Sequence, residues 1–223
     1  MKKLLLIICC LFTVSAITTA QELQKNIFGI RAGLNLSSMK STYGSLSSTS
    51  DTRVSFNVGA SYQRLLSATV PLYLETGLYL TDKGETDELD VSKMPMPEPS
   101  YILSEKETMS AMYIQVPVLL NYHFAAANTI TIQPFAGLYA AYGIAGKIKT
   151  TTKLSNGNTK TDSQNSFSSN VTKRFDFGAK FGVGATFGKI YTSIGYELGL
   201  ANISNKLSKI KNINWALTFG YNF

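Results

Sequence analysis

Asn212-Ile-Asn-Trp-Ala-Leu-Thr-Phe-Gly-Tyr-Asn-Phe223 closes the chain as a strictly alternating stretch, with Ile213, Trp215, Leu217, Phe219, Tyr221 and Phe223 on one face. At the edge of an open sheet such a strand would be an unprotected template for aggregation. In a closed barrel it pairs on both sides and turns its apolar face to lipid.

The same period recurs upstream. Alternating stretches occupy residues 26–37, 53–65, 71–81, 110–124, 129–145, 174–187, 190–200 and 212–223. At a tilt near 45° each strand residue climbs about 2.4 Å, so about ten residues cover an apolar band of about 25 Å. The connections at 67–70, 125–128 and 188–189 are tight, whereas those at 38–52, 82–109, 146–173 and 201–211 are long and polar. Short and long alternate strictly, as in an even-stranded barrel with both termini on the periplasmic side. The fold expected is all-β, an eight-stranded antiparallel up-and-down transmembrane β-barrel.

A soluble up-and-down barrel of the lipocalin kind has the same topology but an apolar inside. Here the faces are reversed. Phe28, Ile30, Ala32, Leu34 and Leu36 oppose Gly29, Arg31, Gly33 and Asn35, and Phe175, Phe177, Phe181, Val183 and Phe187 oppose Asp176, Gly178, Lys180, Gly182 and Gly184. The apolar face carries no charge, which a soluble exterior would not tolerate. Glycines fall on the polar register, where they relieve crowding in a narrow lumen. Phe28, Tyr62, Tyr122, Phe124, Phe187, Tyr221 and Phe223 lie near the periplasmic strand ends as an interfacial girdle. Pro117 and Pro134 each remove a ladder donor, for which bulges are the expected accommodation.

Residues 1–20 read as a secretory signal peptide: Lys2 and Lys3, an apolar run, then Thr18, Thr19 and Ala20. Residues 21–223 then form one barrel domain in the cell outer membrane, exported through cleavage of that signal. Cys9 and Cys10 leave with it, so disulfides, thiolate metal sites and cysteine nucleophiles are not expected. Without Lys2 and Lys3 the formal charge of +7 falls to +5, unclustered, and no nucleic-acid partner is expected.

The motifs Phe28-Gly-Ile-Arg-Ala-Gly-Leu-Asn-Leu, Tyr113-Ile-Gln-Val-Pro-Val-Leu-Leu-Asn-Tyr, Pro134-Phe-Ala-Gly, Phe175-Asp-Phe-Gly and the closing Gly220-Tyr-Asn-Phe span most of the chain. With them the sequence resembles the small outer-membrane β-barrel family of Bacteroidetes that includes PorT-like proteins. The resemblance implies an eight-stranded barrel of OmpX/OmpA type, with proline tolerated at both positions. It implies that Tyr221 and Phe223 are an assembly signal read by the barrel-assembly machinery. Through PorT it also implies an accessory role in protein secretion as one possible function.

The inward register gathers Arg31, Glu75, Asp176, Lys180 and Glu197, with Gln63, Gln115, Asn121 and His123 beside them. One reading is a hydrogen-bonded polar filling, since unpaired buried charge is costly; the alternative is a narrow passive pore. No catalytic residue, cofactor or metal site is expected. His123 is the single histidine and has no nucleophile placed by spacing, and Gly182-Val-Gly-Ala-Thr-Phe-Gly188 lies within a strand, not at a strand-to-helix turn. No stretch matches calcium-loop spacing.

Function is sought in the loops. Segment 82–109 sets eight acids, Asp82, Glu85, Asp87, Glu88, Asp90, Glu98, Glu105 and Glu107, against Lys83, Lys93 and Lys106, while 146–173 sets five lysines against Asp162. Either these loops dock on one another, or they are solvated beside lipid and lipopolysaccharide, whose phosphates lysines bind. Pro95, Pro97 and Pro99 stiffen the first of them for a partner, another envelope or host protein. A structural or interaction role through the extracellular loops is therefore the functional expectation.

Overall fold

Among the described residues eight long strands pair antiparallel, each with the next: β1 (Asn26–Tyr43), β3 (Arg53–Leu65), β4 (Leu72–Asp90), β5 (Ile102–Tyr122), β7 (Ile130–Leu154), β9 (Phe175–Phe187), β10 (Ile190–Gly199) and β11 (Lys209–Asn222). The computed structural model describes residues 23–91, 102–168, 172–205 and 208–223. The expected signal peptide lies outside the described residues, as do Lys93, Pro95, Pro97, Glu98, Pro99 and Lys206. The final strand pairs with β10 and also with β1, from Gly29↔Asn222 to Thr42↔Lys209, which closes the ring. Closure removes every edge within the membrane, the condition under which a sheet can span lipid. Among the described residues three short strands lie off the ring: β2 (Leu46–Thr49) on β1, and β6 (Phe124–Ala127) and β8 (Thr159–Asn165) on β7.

Period two sorts the side chains. On β1, Phe28, Ile30, Leu34 and Leu36 are exposed, whereas Arg31, Asn35 and Ser37 are buried. The inward glycines are seats for large inward side chains. Tyr79 lies over Gly59 and Gly77, Tyr139 over Gly178, Phe135 over Gly182 and Gly195, and Tyr191 over Gly184. A Cβ on Gly178 would stand 2.7 Å from Tyr139 Oη. Glycine and ring therefore fill one volume between them, as in aromatic cover of strand glycines. At the β9–β10 turn Gly188 adopts φ 59°, which glycine takes without strain.

The prolines produce no bulge. Pro117 keeps its register against Tyr139, and on the β4 side the pairs Thr76↔Val118 and Tyr79↔Gln115 hold the same register across an unpaired gap. The Thr76 hydroxyl donates to the Pro117 carbonyl at 2.9 Å, a side-chain bond that spans the gap. Pro134 stays paired with Val183, and on its other side the ladder lapses between Asn121↔Phe135 and Phe124↔Ile132, where β5 gives way to β6. Dropping a pair conserves the in/out alternation that a one-residue insertion would disturb. The register shifts in β5 fall instead between Ile102 and Ser104 and between Met112 and Tyr113.

The segments read as long polar loops are largely strand. The β4–β5 ladder continues from Asp82↔Met112 to Asp90↔Ser104, and β7 runs on to Leu154 before returning as β8. The outer parts of β4, β5, β7 and β8 thus form a protruding four-stranded sheet. Outside lipid the outward face of a strand is wet, so the apolar contrast between the faces fades although Met109 and Ile148 stay buried on the inward side and the backbone ladder persists. The acidic and basic segments meet through that ladder, Glu107 opposite Thr150 and Thr108 opposite Lys149. Ion pairs form within each hairpin, Lys106 to Glu88 at 3.3 Å and Lys160 to Asp162 at 3.0 Å.

Candidate functional site

Strand β4 follows β3 up to Asn57↔Thr81 and then leaves it, while its own alternation carries Tyr79, Thr81 and Lys83 inward in turn. The backbone groups freed by this departure are taken by side chains. Asn35 Nδ2 and Ser55 Oγ both donate to the Asp82 carbonyl, at 3.0 and 2.6 Å, and the Gly84 amide donates to Ser37 Oγ at 3.0 Å. The Asp82 carboxylate binds Arg53 at 2.7 Å and accepts from Ser110 Oγ at 2.9 Å.

Lys83 is thereby delivered to the centre of the lumen, 0% exposed. Its Nζ lies 2.9 Å from Glu197 Oε2, 3.7 Å from Asp176 Oδ2 and 4.1 Å from the Tyr139 ring centroid. Glu197 also accepts from Lys180 at 2.9 Å, Gln115 at 2.8 Å and Asn214 at 3.3 Å. Asp176 accepts from Tyr139 Oη at 3.1 Å and Asn212 at 2.9 Å. Asn214 and Asn57 both donate to Asn35 Oδ1, tying this tier to β1 and β3. A buried ion pair is tolerable only with such further hydrogen bonds, because desolvation otherwise outweighs attraction.

A second tier lies toward the periplasmic end. Arg31 and Glu75 do not pair with each other. Arg31 donates to Asn222 Oδ1 at 2.7 Å and stacks 4.0 Å from the Tyr191 ring centroid, while Glu75 accepts from Gln63 at 2.7 Å and Asn121 at 2.8 Å. His123 stacks on Tyr73 with centroids 4.0 Å apart. Between the tiers a cavity of about 30 Å³, bordered by Arg31, Glu75, Tyr79, Lys180 and Tyr191, has the volume of one water molecule. Three cations, Arg31, Lys83 and Lys180, balance three carboxylates, Glu75, Asp176 and Glu197.

Above the Lys83 tier lies an apolar cap. Met39, Met109, Tyr113, Ile148, Phe167 and Ile203 are buried together, with Ile210 packed against them. Phe167 meets Tyr113 edge-on at 5.6 Å, and its ring fills the space a side chain at Gly143 would need. The two connections that supply Phe167 and Ile203 are joined by the Thr172↔Ser204 bridge and by the Lys173 amide, 2.7 Å from the Ile203 carbonyl.

In the sequence Lys83 counts among the lysines of the polar segment 82–109. Its signal was the parity of 73, 75, 77, 79 and 81, which two more residues would have carried to 83. Phe167 and Ile203 had no periodic signal, since they sit in connections. At the chain end Tyr221 and Phe223 face outward, 5.5 Å apart edge-to-face, and the Phe223 amide donates to the Phe28 carbonyl at 2.9 Å.

The family model described as outer membrane protein beta-barrel domain matches residues 19–205. Among solved structures the chain is similar to Ail, the attachment invasion locus protein of Yersinia pestis, at 14% identity, covering 90% of this chain and 100% of that one, with a TM-score of 0.40. It is similar to Neisserial surface protein A at 12% identity, covering 88% and 97%, with a TM-score of 0.45. It is similar to the N-terminal β-barrel domain of Pseudomonas aeruginosa OprF at 13% identity, covering 86% and 97%, with a TM-score of 0.29. No curated protein matches it in sequence. With a closed ring of strands, an apolar exterior and a polar interior, the chain belongs to the outer membrane protein beta-barrel domain family and is a protein of the outer membrane.

Proposed function

We propose that this protein is a non-conducting outer-membrane barrel that acts through the sheet it projects beyond the membrane, as a structural or interaction module for another envelope or host protein. The observation that supports the reading is the way the lumen is filled among the described residues. Lys83 is held by Glu197 and Asp176, and the apolar Met39–Phe167–Ile203 cluster covers it. An ion would have to displace paired charges and then cross an apolar barrier. That combination favours the filled barrel over the narrow pore.

The outer sheet supplies a surface suited to binding. Strand β8 is exposed throughout and, among the described residues, pairs only with β7, so its far edge offers free amides and carbonyls to an extended peptide. Export through a cleaved signal and kinship with PorT-like barrels belong to the same reading and rest on the sequence motifs.

Single-channel recording in planar bilayers tests it. The purified protein should give no stable conductance. Stable openings that disappear when Arg31 or Glu75 is replaced would overturn the sealed-barrel reading in favour of a pore.

A further inference from the structure

The closing seam of the barrel carries an unbalanced cluster of charge at its outer rim. Along the β1–β11 ladder the outward pairs rise in order: Leu34↔Leu217, Leu36↔Trp215, Ser38↔Ile213, Lys40↔Lys211 and Thr42↔Lys209. Two ammonium groups therefore lie directly across the ladder, with a third one register step beyond. Like charges directly opposite one another in a sheet are destabilising. The neighbours bring no relief: Lys40 faces Thr49 on β2, Thr42 and Ser47 bond each other at 3.1 Å, and β10 has ended below, its last pair with β11 being Leu198↔Ile213. Among the described residues no carboxylate lies within ion-pairing distance of the three lysines. Asp51, the first acid after β2, is bridged to Thr86 and forms no ion pair with them, and the outer acids Asp82, Glu88 and Asp162 are held by Arg53, Lys106 and Lys160.

Height on the barrel gives the missing counter-charge its chemistry. Trp215, the only tryptophan, is half-exposed on the same outward face, four residues below Lys211. At about 2.4 Å of climb per residue the lysine pair stands about 10 Å above it, and an interfacial tryptophan marks the edge of the hydrocarbon. Lys40 and Lys211 thus sit at the level of lipid headgroups, on the surface that faces lipid, with stems able to reach phosphate oxygens there.

We propose that Lys40, Lys209 and Lys211 form a binding site for the phosphate of an anionic outer-leaflet lipid, seated on the closing seam above Leu36 and Trp215. The bound phosphate relieves the cross-strand repulsion and fastens β1 to β11 at the one junction between strands distant in sequence. The site is independent of the outer sheet and of whether the lumen conducts.

Trp215 lies close enough to report binding. The folded full barrel in zwitterionic detergent is titrated with diphosphoryl lipid A, with the same lipid stripped of phosphate, and with inorganic phosphate, while tryptophan emission is followed. Diphosphoryl lipid A should give a saturable change, and the other two should not. Lys40→Gln/Lys211→Gln should weaken the apparent affinity about 20-fold, near the effect of two surface lysines on an anionic lipid, whereas Lys149→Gln/Lys153→Gln should leave it unchanged. Heat-shifted gel mobility reports that each variant is folded; Lys209→Gln and Lys211→Gln singly replace the double variant should it not fold, each with a several-fold loss expected. Equal binding by wild type and these variants, or an equal response to the dephosphorylated lipid, would overturn the site. Saturation by inorganic phosphate alone would reassign it to free anions and overturn the lipid proposal.

Discussion

Lys83 Nζ and Glu197 Oε2 meet at 2.9 Å across the lumen and join β4, at the point where it leaves β3, to β10 on the far side of the ring. The pair is a tie between the base of the protruding sheet and the barrel wall, and both side chains are buried.

Replacing Lys83 by Met should therefore be costly although the side chains are similar in length. Glu197 keeps Lys180, and Asp176 keeps Tyr139 and Asn212, but the charge balance of the tier is lost. A loss of about 3 kcal/mol is expected, the lower part of the range for breaking a buried pair. Urea unfolding in detergent micelles or lipid vesicles measures it, and a change below about 1 kcal/mol would deny Lys83 its role as a tie.

The seats of the inward rings allow a coupled test. A Cβ on Gly184 would lie 2.8 Å from Tyr191 Oη and 3.0 Å from the ring carbon that bears it. Gly184→Ala should cost about 1–3 kcal/mol through overpacking. In the Tyr191→Ala background the same substitution should cost at least about 1 kcal/mol less, a coupling that a double-mutant cycle reads directly. Additive effects would mean that glycine and ring do not share the volume.

Phe223→Ala separates stability from assembly. The backbone bond from residue 223 to Phe28 survives the change, and the ring is 61% exposed on the lipid side. Unfolding of the purified variant should differ from wild type by less than about 1 kcal/mol, yet the amount of heat-modifiable protein in the outer membrane should fall several-fold. Normal membrane levels would count against the proposal that Phe223 is part of an assembly signal.

Glu85, in the part of β4 beyond the membrane, has its carboxyl pushed above the usual carboxylate range, chiefly by burial and further by Asp87 and Glu107, with the Ser50 hydroxyl opposing. A raised pKa in the folded state favours the protonated form. The stability this contributes is complete below the unfolded carboxylate pKa and is lost as pH rises through the folded one. Glu85→Gln keeps a neutral group there, so it should match wild type near pH 3 and become the more stable of the two toward pH 7. Parallel stability curves over that range would contradict the burial of Glu85.

Within the membrane the strands were legible because lipid enforces the alternation at every second residue. Phe28 to Leu36 and Phe175 to Phe187 show it without interruption, and the inward Arg31, Glu75, Asp176, Lys180 and Glu197 followed from parity alone. Legibility stopped at Asp82 and at Gly146, where the outward face becomes polar while the inward Lys83, Met109 and Ile148 remain buried, so the apolar contrast between the two faces is lost although the ladder continues. Pro117 and Pro134 were readable as missing donors but not in their consequence, because an interrupted ladder and a bulge differ only in register.

By itself, the sequence determined the barrel: eight periodic stretches, their faces, and the alternation of short turns with long outer connections. These follow from a local rule, since a residue's side of the sheet depends on its neighbours along the chain. Which inward groups meet was decided by tertiary structure. Lys83 reaches Glu197, and Arg31 turns to Tyr191 and Asn222 instead of Glu75, because contact across a lumen depends on the stagger between strands and on where β4 leaves β3. The Lys40–Lys211 pair depends on it as well, because those residues become neighbours only when the first and last strands close the ring.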